Sequence, residues 1–214
     1  MGWVISAILL AVLIGVLLLT KKSQPLPQRA LFLVDLQNDF STGTLAVKGA
    51  SGIVPFIRYL LHQKGTVYNT VVASKDWHLE ENEEHWKKWP KHCLQNTWGS
   101  EFIPGLPTEC IDRVFLKGTG LVDDGYSGAT EEAVRELRAS GVTHIDIVGL
   151  ATDYCVKATA LGFEAQGFKV RVFLDGCAAV NLSEGDEGKA IREMALAGVY
   201  IVDRFVHEDT FSAD

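Results

Sequence analysis

The stretch Ala30-Leu31-Phe32-Leu33-Val34-Asp35 decides the fold. An unbroken apolar run without polar alternation describes a strand buried on both faces, as in a parallel sheet covered by helices. Aspartate at its carboxyl end stands at the edge where open α/β sheets bind ligands. Downstream, Ser51–Lys64 carries Ile53, Ile57, Leu60 and Leu61 at helical spacing, and Gly65 stops it. Thr66–Ala73 reads as a second strand and Arg113–Leu116 as a short third one ending at Lys117. Glu131–Ala139 reads as a helix, His144–Leu150 as a strand, Asp153–Gln166 as a helix and Lys169–Leu174 as a strand. Asp186–Ala197 is a further helix and Val199–Val202 a last strand. This alternation predicts a three-layer α/β/α domain with a mostly parallel six-stranded sheet.

Composition bounds the function. The chain has 214 residues, 47% hydrophobic and 22% charged, enough for one domain with a proper core. A net charge of −7 argues against a nucleic-acid binder. No strand is followed by Gly-x-Gly-x-x-Gly, and there is no phosphate-binding Gly-Lys-Ser/Thr loop, so a nucleotide fold has no support. Cys93, Cys110, Cys155 and Cys177 form no Cys-x-x-Cys pair, which excludes a disulfide scaffold or zinc-thiolate site.

The amino terminus reads separately. Trp3 to Thr20 carries no charge and as a helix would span about 27 Å, close to one hydrocarbon core. No basic residue precedes it and Lys21-Lys22 follow, so an uncleaved anchor is expected, with the rest of the chain facing the cytoplasm. Residues 1–20 are thus expected to be a membrane anchor, 21–28 a linker with Pro25 and Pro27, and 29–214 the folded domain.

Three polar residues fall at one sheet edge: Asp35 after the first strand, Lys117 after the third, and Cys155 at the start of the helix after the fourth. Singly, each has an ordinary reading as a turn residue, a solvated charge or buried filler. Together they suit nucleophilic chemistry. A helix amino terminus and a nearby cation stabilise a thiolate, an aspartate can take and return its proton, and turn amides can face an oxyanion. The segment from Lys75 to Gly105 lacks periodicity, and such a segment in a compact domain is usually functional. Within it, Asp76 and His78 sit two apart, on the same side of an extended chain. With His92 they could form a two-histidine, one-carboxylate metal set. Asn82, Glu84 and His85 are open as further ligands.

At these residues the chain resembles the nicotinamidase/pyrazinamidase group of the isochorismatase-like cysteine hydrolases. Leu31–Phe40, Ser74–His78, Trp89–Gln95 and Val148–Ala160 carry the likeness, with Lys117-Gly118-Thr119 and Tyr126-Ser127 in register between them. The resemblance implies a triad of Asp35, Lys117 and Cys155. It implies an oxyanion hole from the amides of Ala151 and Cys155, with a cis peptide before Ala151. It implies a ring pocket of Phe40, Leu45, Trp89, Tyr126 and Tyr154, and metal ligands Asp76, His78 and His92 for one divalent transition metal. Zinc is the first choice, and iron or manganese accept the same ligands. The implied reaction is hydrolysis of nicotinamide to nicotinate and ammonia through a cysteine thioester, with pyrazinamide as a second substrate. The implied partners are the small-molecule substrate, no nucleic acid, a membrane through the amino-terminal helix, and a homo-oligomer as an open option. One alternative is a related cysteine amidohydrolase acting on an N-carbamoyl or ureido compound. Another, of a different class, is a membrane-tethered binding protein without catalysis.

Overall fold

The computed structural model describes residues 28–121 and 125–202. Strands β1 (Gln28–Val34), β2 (Thr70–Asp76), β3 (Arg113–Lys117), β4 (Val142–Leu150), β5 (Lys169–Ala178) and β6 (Tyr200–Val202) form one sheet in the order β3-β2-β1-β4-β5-β6. Every pairing is parallel, where the sequence suggested mostly parallel. The helices are α1 (Asn38–Ser41), α2 (Val54–Leu61), α3 (Glu83–Trp86), α4 (Glu131–Ala139), α5 (Lys157–Ala165) and α6 (Asp186–Leu196). Strand order grows in opposite directions from β1 and from β4, so a crevice opens at the carboxyl ends of these two neighbours.

β1 explains the three layers. Its residues alternate between two cores. Ala30, Phe32 and Val34 pack with Ala133 and Leu137 of α4, Phe163 of α5 and Met194 of α6. Leu31 and Leu33 pack on the other face with Ile57, Leu60 and Leu61 of α2. Polar residues anywhere in this strand would be buried, which is why it reads as an unbroken apolar run.

Boundaries differ from the sequence reading at several places. The expected helix over Ser51–Lys64 begins as a 3-10 turn, Ala50–Ile53, and becomes α-helical only at Val54, with Pro55 in its first turn. Thr66–Asn69 form a turn closed on Gln63 rather than the start of β2. β2 runs on through Lys75 and Asp76 because both charges are provided for: the Lys75 ammonium lies 5.0 Å from the Trp77 ring and 4.9 Å from that of Phe102, and Asp76 meets Lys117. The expected helix over Asp153–Gln166 opens with a π-turn, Thr152–Val156, before α5. Also, β1 starts at Gln28, inside the expected linker.

The expected membrane anchor requires correction. Among the described residues no helix is long and apolar enough to cross a membrane. The longest, α6, has 11 residues, about 16 Å, roughly half a hydrocarbon core. The Trp3–Thr20 run and the linker to residue 27 lie outside the described residues. Membrane anchoring with a cytoplasm-facing domain therefore has no support.

Candidate functional site

Each polar group of the site is delivered by the end of a different strand. Asp35 leaves β1 in the left-handed region, φ 47, and turns into the crevice. Gly149 in β4 permits the close approach of the neighbouring strand, since a Cβ there would lie 2.1 Å from the Val34 carbonyl oxygen. The Leu150–Ala151 peptide that follows is cis. The π-turn then sets Cys155 at its fourth position, buried. Asp76 and Lys117, the last residues of β2 and β3, are register partners.

The expected triad residues converge. The Lys117 ammonium lies 2.8 Å from Asp35 Oδ2 and 3.5 Å from Cys155 Sγ, donates to the Gly125 carbonyl at 2.5 Å, and also meets Asp76 Oδ1. Ser74 Oγ donates to Asp35 Oδ1 at 2.7 Å. Acceptor atoms of Asp35, Asp76 and Cys155 lie within 4.8 Å of one another. Burial pushes Asp35 up to about 6, with Lys117 opposing and the Asp76 charge adding. Burial also opposes ionisation of Asp76, but the Lys117 ammonium outweighs it and holds the carboxyl well below its ordinary value. Burial works against the charge on Lys117 too, yet the two carboxylates keep it an ammonium. Cys155 is pushed well above its ordinary value, first by burial and then by Asp35 and Asp76 against the pull of Lys117. Cys155 is therefore a thiol at rest whose ionisation would need a base, and Asp35 is the adjacent carboxylate.

The imidazoles gather on the other side of Asp76. His78 Nδ1 donates to the Gly118 carbonyl at 3.0 Å and His92 Nδ1 to that of Pro90 at 2.8 Å. A carbonyl can only accept, so each ring carries a proton on Nδ1 and turns its Nε2 toward Asp76. These Nε2 atoms lie 3.6 Å and 3.7 Å from Asp76 Oδ2. The His92 loop is brought there by pairing beside His78, with His78 N–H donating to the Cys93 carbonyl at 3.0 Å. Gly118 is required, at φ 66, because a Cβ would lie 2.4 Å from His78 Cε1.

The structure adds a third histidine. His85 of α3 stacks on His78 with ring centroids 4.2 Å apart, and nitrogens of His78, His85 and His92 lie within 4.8 Å of one another, all buried. Of the three further ligands left open by the sequence, Asn82 caps α3 by accepting from the His85 N–H, and Glu84 is exposed and pairs with Lys87. Their even spacing at 78, 85 and 92 is the only trace of this cluster in the sequence. The buried His78 Nε2 has no hydrogen-bond partner, and it and His92 Nε2 face one carboxylate oxygen from beyond hydrogen-bond reach with a third imidazole beside them, a donor set that fits a divalent transition metal.

Both clusters open into one cavity. Phe40, Leu45, Trp89, Tyr126 and Tyr154 all line it, as do Cys155, Ala151, Asp76, His85 and His92. Trp89 Nε1 donates to Tyr126 Oη at 2.9 Å and its ring meets Tyr154 edge-on at 5.2 Å. Val47, Leu150 and Val180 complete the wall. Val180 arrives because Asp153 accepts its N–H at 2.9 Å and that of Asn181 at 2.8 Å. No sequence signal marks it. Of the remaining tryptophans, Trp86 meets the histidine rings, whereas Trp77 carries Lys75 and Trp98 is exposed. Cys93, Cys110 and Cys177 form no disulfide and lie outside the cavity lining.

Comparison with known proteins agrees with this geometry. The chain is 36% identical over 199 residues to the nicotinamidase of Escherichia coli, covering 81% of this chain and 93% of that one. It is 38% identical over 186 residues to the nicotinamidase/pyrazinamidase of Mycobacterium tuberculosis, covering 81% and 98%. The crystal structure of the pyrazinamidase of Pyrococcus horikoshii in complex with zinc superposes with a TM-score of 0.74 at 36% identity, covering 83% of this chain and all of that one. The isochorismatase domain model matches residues 29–204, and the chain belongs to that family.

Proposed function

We infer that this protein is a nicotinamidase, an amidohydrolase that converts nicotinamide to nicotinate and ammonia. The observation that carries the reading is the meeting of Asp35, Lys117 and Cys155 with an imidazole cluster in one aromatic-walled cavity. Relatives named nicotinamidase and pyrazinamidase, similar over most of the chain, support the substrate class.

The chain's own residues account for the steps. Phe40, Trp89, Tyr126 and Tyr154 bury the flat pyridine ring and hold the carboxamide over Cys155. Asp35 accepts the Cys155 proton, and Lys117 stabilises the anions that result. The thiolate adds to the carboxamide carbon, and the oxyanion faces the amides of Ala151 and Cys155. The proton on Asp35 passes to the amide nitrogen, the carbon–nitrogen bond breaks, and ammonia leaves a thioester on Cys155. Asp35 then takes a proton from water, hydroxide adds to the thioester, and nicotinate leaves as the thiol is restored. Asp76, His78, His85 and His92 would hold the metal, which supplies a Lewis acid for the ring nitrogen. Zinc suits the nitrogen-rich set best, and iron or manganese would be accepted. The domain carrying this chemistry begins at residue 29.

An ammonia-release assay with nicotinamide, pyrazinamide and an N-carbamoyl amino acid tests the reading. Turnover of the first two, lost on chelation and restored by zinc, iron or manganese, is the expected result. Turnover of the N-carbamoyl compound alone would replace it with the ureido-hydrolase reading.

A further inference from the structure

Where β1 ends, its partner strand continues alone. The β1–β2 ladder runs from Ala30 opposite Thr70 to Leu33 opposite Ala73, and one last bond joins the Asp35 N–H to the Ser74 carbonyl at 3.3 Å. Left-handed Asp35 then carries β1 out of the sheet, while β2 runs on to Asp76. On that side the buried peptide groups of Asp76 have no strand to pair with. The Gln37 side chain takes the strand's place: its Nε2 donates to the Asp76 carbonyl at 2.7 Å and its Oε1 accepts the Asp76 N–H at 2.8 Å. The same Nε2 reaches the Ser100 carbonyl at 3.2 Å. Two residues on, Asp39 does likewise for the His92 loop. Its Oδ2 accepts the Cys93 N–H at 2.7 Å and its Oδ1 the Thr44 N–H at 3.2 Å. Cys93 follows His92 directly and is itself left-handed, φ 46. Asp39 is closely confined, since a Cβ on Gly99 would lie 1.9 Å from its Oδ2.

We propose that Gln37 and Asp39 are positioning residues that set Asp76 against His92 and thereby the affinity of the histidine–carboxylate cluster for a divalent transition metal. This rests on the metal reading given above. Neither residue lines the cavity. They act through two peptides, one that carries the shared carboxylate and one that follows His92, and both are gripped from the same short segment of chain. The separation held in this way is 3.7 Å between Asp76 Oδ2 and His92 Nε2. Ligand distances in a metal site hold to within about 0.2 Å of their standard values, and groups that orient the ligands influence affinity. Without its clamp, either peptide becomes a buried unpaired group and moves to find a partner, taking its ligand with it.

Zinc titration of the chelator-stripped full chain against a chromophoric competitor, alongside urea unfolding of the stripped chain, tests this. Gln37→Met and Asp39→Ala are expected to weaken zinc binding by roughly 10- to 100-fold. Asp39→Asn keeps an acceptor for Cys93 and is expected to lose less than Asp39→Ala. Arg171→Met serves as a purely structural control, because it removes a half-buried partner of the buried Asp146 in the middle of the sheet, away from the site. It is expected to lower the unfolding midpoint with zinc affinity unchanged. Should Gln37→Met not fold, the two Asp39 variants decide alone. Folded Gln37→Met or Asp39→Ala binding zinc as the wild type does overturns the proposal, as does Asp39→Asn losing as much as Asp39→Ala. Wild-type chain that takes up no zinc sinks the metal reading, and this proposal with it.

Discussion

Lys117→Met removes the one ammonium that two buried carboxylates share. Methionine fills most of the volume, so the loss is mainly electrostatic. Removing one partner of a buried ion pair costs about 3–5 kcal/mol. The pH dependence of that cost follows from Asp35, whose value is already raised from 3.8 to about 6. Lys117 lowers it in the wild type, so its removal raises Asp35 further. A carboxyl with a raised folded value costs nothing below its unfolded value, and its cost grows until pH reaches the folded one. In the wild type this growth ends near pH 6, whereas in the variant it continues. The stability gap between the two should therefore widen by up to about 1.4 kcal/mol per pH unit above pH 6, or about 2.7 kcal/mol between pH 6 and pH 8. Urea unfolding of both proteins at the two pH values, with the same buffered zinc, measures it. Activity should fall by at least about 10²–10³-fold, since the anions of the reaction lose their stabilising charge. A gap that does not change with pH, or a variant as stable as the wild type at pH 8, would refute the reasoning.

Cys155→Ala and Cys155→Ser should abolish ammonia release while leaving bound metal stoichiometric, and appreciable turnover by the alanine variant would end the thioester mechanism. The acid limb of kcat/KM should fall near pH 6, dropping about tenfold per unit below it, because only ionised Asp35 can take the thiol proton. A rate that stays flat down to pH 5 would exclude Asp35 as the base. His85→Ala should reduce zinc affinity by at least about tenfold if His85 is a ligand or packs one into place, and elemental analysis after dialysis against a chelator reads it. Retention of zinc equal to the wild type would leave His85 outside the set.

Much of the site is legible in the chain because parallel α/β sheets order their own chemistry. A strand buried on both faces holds a charge along its length only where a partner neutralises it, as Arg29 and Arg171 do for Asp146, so the functional charges Asp35, Asp76 and Lys117 fall at strand ends, and strand ends of a parallel sheet share one edge. The apolar run at Ala30–Val34, the helical period around Ile57 and Leu60, and the cysteine at the start of a helix are local patterns. They determined the fold class and the polar groups on hand. The aromatic residues of the cavity came from resemblance, with no local pattern of their own.

What the tertiary structure alone decided depends on contacts between distant segments. His85 could not be chosen over Asn82 and Glu84 from spacing, because all three lie in one short loop. The direction of α3 turns His85 inward, Asn82 to a cap and Glu84 to the surface. Val180 joins the cavity wall only through the hold of Asp153 on its N–H. The roles of Gln37 and Asp39 depend on where β1 leaves the sheet and on which peptides are then left without a strand. Periodicity reports what each segment buries, but the partner of a single buried peptide group is set by chain geometry in a distant segment, and no local pattern carries that.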